Sequence, residues 1–157
     1  MLDHNDVMRE AAATADKTMR KGIGGPFGAA VVKDGNIISV CSNSVLKDHD
    51  PTAHAEINAI RYAGKVLGTH DLSGCEIYAT GFPCPMCMSA IIWSNINKVY
   101  FSGEPEDAAK IGFRDEFIYN YLSGSPENKN MIEFVPVDKS IATELYSNYA
   151  ELEKEIY

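Results

Sequence analysis

The stretch Glu76-Ile77-Tyr78-Ala79-Thr80, followed by Gly81-Phe82-Pro83-Cys84-Pro85-Met86-Cys87 and running on to Ser102, decides the fold. Residues 76 to 80 are short, apolar and β-prone, which predicts a strand. Pro85 after a cysteine predicts a helix from Pro85 to Ser94, with proline in the first turn, where its missing N–H costs nothing. Lys98 to Ser102 reads as the next strand. A strand, a helix and a strand within 27 residues make the unit from which layered α/β domains with parallel pairing are built.

The flanking segments extend this alternation. Towards the N-terminus, Val7, Met8, Ala11, Ala12, Ala15 and Met19 recur at spacings of three and four, which predicts an amphipathic helix ending near Gly22, Gly24 and Gly25. Gly28 to Val32 and Asn36 to Cys41 predict two strands, and Lys33-Asp34-Gly35 between them predicts a hairpin turn. The glycines at 22 to 28 lack the Lys-Ser or Lys-Thr of a phosphate loop and the spacing of a dinucleotide fingerprint, so they read as a tight lead into the first strand. Asp50-Pro51 predicts a helix start, with His54 in the first turn and Ile57, Ile60 and Leu67 further along. Towards the C-terminus, Glu104 to Leu122 predicts one or two short helices, Ile132 to Val137 a last strand, and Ile141 to Ile156 a charged helix.

The chain has 157 residues, 45% hydrophobic and 23% charged, in the range of one ordinary globular domain. Its formal net charge of -8 repels a phosphate backbone and favours a small substrate over a nucleic acid. No apolar run approaches the ~20 residues of a membrane span and no signal peptide is evident, so a cytoplasmic protein without membrane contact is expected. Ser123-Gly124-Ser125-Pro126 is too short a linker to divide the chain in two.

Chemistry enters with His54-Ala55-Glu56 and Pro83-Cys84-Pro85-Met86-Cys87 taken together. Two cysteines three apart at a helix start share a face, and the helix N-terminus favours the thiolates that bind metal. Two sulfurs and one imidazole suit zinc. Three protein ligands are the number found at catalytic zinc, where the fourth position is kept for a water whose pKa the metal lowers. Glu56 then stands beside that water as general acid and base. Two other readings of the cysteines remain open: a thioredoxin-like redox pair, or half of a structural zinc site completed by Cys41, Cys75, His4, His49 or His70. Met86, Met88 and Trp93 read as core or dimer contacts, and His49 as a solvated loop residue.

The pairing of His-x-Glu with Pro-Cys-x-x-Cys resembles the zinc-dependent cytidine and nucleobase deaminase superfamily. Within it, Ile23-Gly24-Gly25-Pro26-Phe27-Gly28-Ala29, Asp50-Pro51-Thr52-Ala53-His54-Ala55-Glu56 and Gly112-Phe113-Arg114-Asp115-Glu116-Phe117-Ile118-Tyr119 look like the short bacterial guanine deaminases. The resemblance implies a three-layer α/β/α domain over residues 1–157 with a central mixed five-stranded sheet. It implies one zinc ion per subunit on His54, Cys84 and Cys87, with Glu56 and Asp115 as catalytic carboxylates, and a hydrolase that opens a C–N bond of a cyclic amidine, converting guanine to xanthine and ammonia. Asn43, Phe27, Ala55 and Tyr157 are the implied substrate contacts. A homodimer is implied, with the C-terminal segment from about 138 to 157 exchanged between subunits. A tRNA adenosine deaminase or a cytosine or nucleoside deaminase of the same fold is the alternative, and a zinc-binding module without catalysis is a further one. Phe82 departs from the superfamily, which mostly carries Glu immediately before Pro-Cys.

Overall fold

The computed structural model describes residues 1–157, except for the side chain of Asn128. They divide into two compact units, Met1–Tyr119 and Asn120–Tyr157.

The first unit is built on a four-stranded sheet in the order β2-β1-β3-β4, with β1 at Gly28–Lys33, β2 at Asn36–Ser42, β3 at Cys75–Gly81 and β4 at Val99–Gly103. The β1–β2 hairpin is antiparallel, as expected, and turns through Asp34 and Gly35, both at positive φ. The pairing of β1 with β3 is also antiparallel, Ala30 facing Tyr78, and only β3 with β4 is parallel. Parallel pairing is therefore confined to the segment around the cysteines, where α4, Pro85–Trp93, supplies the crossover.

β1 is buried on both faces from Gly28 to Val32, because each face carries a helix. On one side Val7 of α1, His4–Met19, meets Ala30, Val32 and Tyr78. On the other, Ala55, Ala59 and Ala63 of α3, Ala55–Leu67, pack with Ala29, Val31, Ile77 and the Ile91 of α4. The alanine face of α3 lets its backbone come close to the sheet, which brings the start of that helix next to the start of α4. The three layers are those expected. Among the described residues, no helix is long and apolar enough to cross a membrane.

Three expectations are corrected. The helix holding His54 does not begin at Asp50-Pro51: the Asp50 carboxylate accepts from the Thr52 backbone N–H at 2.8 Å and from its hydroxyl at 2.7 Å, closing a turn, and α3 starts at Ala55 with His54 as N-cap in extended conformation. A short helix, α2, Val45–Asp48, fills the connection instead. Of the two readings of Trp93, core or dimer contact, its 73% exposure removes the first. The expected fifth strand is missing, since Ile132 to Val137 form no ladder and their apolar side chains are exposed.

The remainder of the first unit is α5, Pro105–Lys110, and the start of α6, Glu116–Leu122. α5 carries a capping box in which Glu104 and Asp107 satisfy each other's backbone N–H groups. The second unit contains the end of α6 and α7, Lys139–Glu151, which Asp138 caps by accepting from the Ser140 N–H at 2.8 Å.

Candidate metal centre

His54 and Cys84 are both N-caps, one on α3 and the other on α4, and Cys87 lies one turn into α4. Two helix N-termini thus converge, and their partial positive charge favours thiolates and a nearby carboxylate. His54 Nδ1 lies 3.6 Å from Cys84 Sγ and 3.5 Å from Cys87 Sγ, and one ligand atom of each residue falls within 4.8 Å of the others. Bonds of about 2.0 Å from zinc to nitrogen and 2.3 Å to sulfur, held at the tetrahedral angle, separate the two donors by roughly 3.5 Å. The donors fit one zinc ion.

Their electrostatics fit as well. A hydrogen bond from Cys87 holds the Cys84 thiol down at about 4, while the same bond and burial push the Cys87 thiol up. The two sulfurs compete for one negative charge, and a divalent cation between them allows both to ionise. The hydrogen bond with Cys84 raises the His54 imidazole, against the opposing effect of burial. Among the described residues, no fourth His, Cys, Asp or Glu completes a closed set around these three. Three protein donors are the number found at catalytic zinc, where water takes the fourth position. All four cysteines are free thiols, so Cys84 and Cys87 form no disulfide.

Glu56 is in the first turn of α3 and only 7% exposed, and burial holds its carboxyl above the ordinary range. It shares a contact with Cys87. A carboxylate so placed can take up and return a proton beside the metal.

Asn43 is 5% exposed, just after β2. Its side-chain oxygen accepts from the backbone N–H groups of Gly25 at 3.2 Å and Val45 at 3.1 Å. Only an oxygen can take both donors, which fixes the amide orientation and leaves the NH2 group to donate. Gly24 is required here, because a Cβ on it would lie 2.2 Å from the Asn43 carbonyl oxygen. Phe27 is half-buried, meeting Phe113 edge to face with ring centroids 5.1 Å apart. Asp115 is partly exposed, and its carboxyl is raised by desolvation and then by the negative charge of Cys84. One turn on, the Tyr119 hydroxyl donates to the Pro83 carbonyl at 3.0 Å, which ties the Asp115 segment to the cysteine loop.

Two expected contacts look different. The Ala55 methyl is fully buried in the core cluster, so only its backbone, at the first turn of α3 where N–H groups lack helical partners, is left to meet a substrate. Tyr157 lies in the second unit, 83% exposed. Phe82, in place of the usual Glu, packs edge to face on Phe101 at 5.0 Å, so an aromatic contact stands where a carboxylate would.

Sequence reading missed Asn58. From the second turn of α3 its side-chain NH2 donates to the Ser42 carbonyl at 2.9 Å and the Ser44 hydroxyl at 2.9 Å, the two neighbours of Asn43. It ties the helix that begins at His54 to the loop that carries Asn43. A polar residue one turn past a ligand was its only sign in the sequence.

The profile of the cytidine and deoxycytidylate deaminase zinc-binding region matches residues 1–103, which include all three candidate ligands. The chain belongs to this deaminase family. The guanine deaminase of Bacillus subtilis is 44% identical over 136 residues, covering 87% of this deaminase and 86% of the relative. The X-ray structure of a guanine deaminase from Bacillus subtilis superimposes with a TM-score of 0.91 at 39% identity, covering 99% of both chains. A tRNA-specific adenosine deaminase of Aquifex aeolicus is 53% identical over 77 residues, covering 49% of this deaminase and 51% of the relative. The redox and structural-zinc readings of Cys84 and Cys87 give way to the metal centre of a zinc-binding deaminase.

Proposed function

We propose that this deaminase converts guanine and water to xanthine and ammonia. One observation carries the reading: likeness to guanine deaminase spans 99% of the chain, and so includes the residues beyond 103 around Asp115. The likeness to tRNA-specific adenosine deaminases covers less of the chain, 49% for that of Aquifex aeolicus and 73% for that of Haemophilus influenzae. The net charge of -8 also disfavours an RNA substrate.

His54, Cys84 and Cys87 would hold the zinc, which when bound supplies an activated water at neutral pH. Glu56 accepts a proton from the attacking water and delivers it to a ring nitrogen as the oxygen adds to C2. Asp115 lies near the cysteine loop, suited to help the amino group leave as ammonia. The Asn43 NH2 donates to an acceptor on the purine edge, and Phe27 stacks on the ring, where such contacts contribute about 1 to 3 kcal/mol. Ala55 meets the base through its backbone.

The same reading makes the protein a homodimer that exchanges residues 138–157 and brings Tyr157 to the partner's site. Support comes from the exposed Ile141, Leu145 and Leu152 along α7 and from exposed Ile92 and Trp93 on α4, apolar surface that a second copy would cover. Four free thiols fit a reducing compartment such as the cytoplasm.

The test is to incubate the zinc-loaded protein with guanine in 18O-labelled water. Xanthine carrying one labelled oxygen, with one ammonia released for each, is expected. Intact guanine after prolonged incubation would refute the assignment.

A further inference from the structure

The segment that carries Asp115 has little secondary structure to hold it. α5 has six residues and α6 seven, neither has a buried residue, and Gly112 between them sits at φ +102°. Helices this short do not persist unsupported in water. What locates Asp115 must therefore be contacts from this segment to the sheet and the cysteine loop.

Two such contacts stand out. Phe113 sets its ring edge to face against Phe27, and the Tyr119 hydroxyl donates to the Pro83 carbonyl at 3.0 Å. The Pro83 side chain is fully buried and the residue directly precedes Cys84, so its carbonyl is an anchor next to the cysteine loop's first ligand. At the other end of the tether, the backbone carbonyl of Asp115 accepts from the N–H groups of Ile118 at 3.0 Å and Tyr119 at 3.4 Å. Tyr119 is thus one helical turn from Asp115 by backbone bonds and one side chain from Cys84 by its hydroxyl.

We propose that Tyr119 is a positioning residue, whose bond to the Pro83 carbonyl sets the place of Asp115 relative to the metal loop. The residue spans the two groups, its hydroxyl on the Pro83 carbonyl and its backbone N–H on the Asp115 carbonyl. Its hydroxyl is occupied by a backbone carbonyl, so it acts through Asp115 and not on the base. Without it, that half-buried carbonyl loses the hydroxyl and α6 is released from the loop. The role given to Asp115 rests on the guanine deaminase reading; the tether itself does not.

The experiment compares wild type, Tyr119→Phe, Asp115→Asn and the double variant, all loaded with zinc. Phenylalanine keeps the ring and removes only the donor. Zinc content and melting temperature should be unchanged in Tyr119→Phe, while amide hydrogen exchange over residues 113–119 speeds up about tenfold, the worth of one hydrogen bond. Its kcat/KM for guanine should fall about tenfold against wild type, but less than twofold when Asn already stands at 115. Unchanged exchange in Tyr119→Phe would overturn the tether. An equal tenfold loss in both backgrounds, or loss of zinc, would overturn positioning through Asp115, because the tyrosine would then serve the metal loop itself. Faster exchange in Tyr119→Phe, together with wild type that leaves guanine intact, would refute the substrate reading and leave the tether standing.

Discussion

The surroundings of the metal and the segment from 104 to 119 are built in different ways. His54, Glu56, Cys84 and Cys87 sit at the first turns of two helices that pack on the central sheet, beside Ala55, Ile77 and Ile91, among the most buried side chains of the chain. Asp115 stands between two short helices with no buried residue. The first arrangement holds the donors on packed, rigid elements, as chemistry at a metal requires. The second can change length and sequence without disturbing the core, and so suits the choice of base. One zinc framework can carry different outer segments, which is what the proposed function asks of the segment around Asp115.

This contrast can be broken experimentally, and the largest effect is expected at the metal. Cys84→Ala should abolish turnover and lower bound zinc well below one ion per chain in a metal assay after dialysis; full occupancy would remove Cys84 from the ligand set. Glu56→Gln comes next, retaining zinc and fold but losing at least ~100-fold in kcat. Steady-state assays with near-normal turnover would end its role as proton shuttle.

The outer segment should respond more mildly and in another parameter. Asp115→Asn is expected to cost roughly 10- to 100-fold in kcat/KM for guanine, the range of one hydrogen bond to a charged group, with zinc retained. If zinc were lost as well, the two regions would not be separable. The smallest effect belongs to Asn58→Ala, which unties the Asn43 loop from α3: KM should rise about threefold to tenfold with kcat little changed. A fall in kcat with KM unmoved would place Asn58 in service of the metal and blur the contrast from the other side.

The same division governs what could be read from sequence. The hairpin, the crossover helix after Cys84 and the metal residues were legible because short-range signals specify them: Asp34-Gly35 at a turn, proline after a cap, cysteines three apart. Asp50-Pro51 misled because aspartate before proline opens a turn as readily as a helix, and here Thr52 takes both bonds of the Asp50 carboxylate oxygen. Ile132 to Val137 has the composition of a strand, but a strand exists only beside another backbone, and pattern alone does not supply one. Asn58 and Tyr119 were invisible for a related reason. Their partners, Ser42 and Pro83, lie 16 and 36 residues away, and nothing local marks either pair.

The most direct test of the account is ammonia release by the zinc-loaded protein offered guanine, guanosine, cytosine, cytidine, adenine and a tRNA anticodon stem in parallel. Selective turnover of guanine is the predicted result. Turnover of another of these with guanine untouched would contradict the substrate assignment, leaving the metal centre in place and the roles of Asp115, Asn43 and Phe27 to be reassigned.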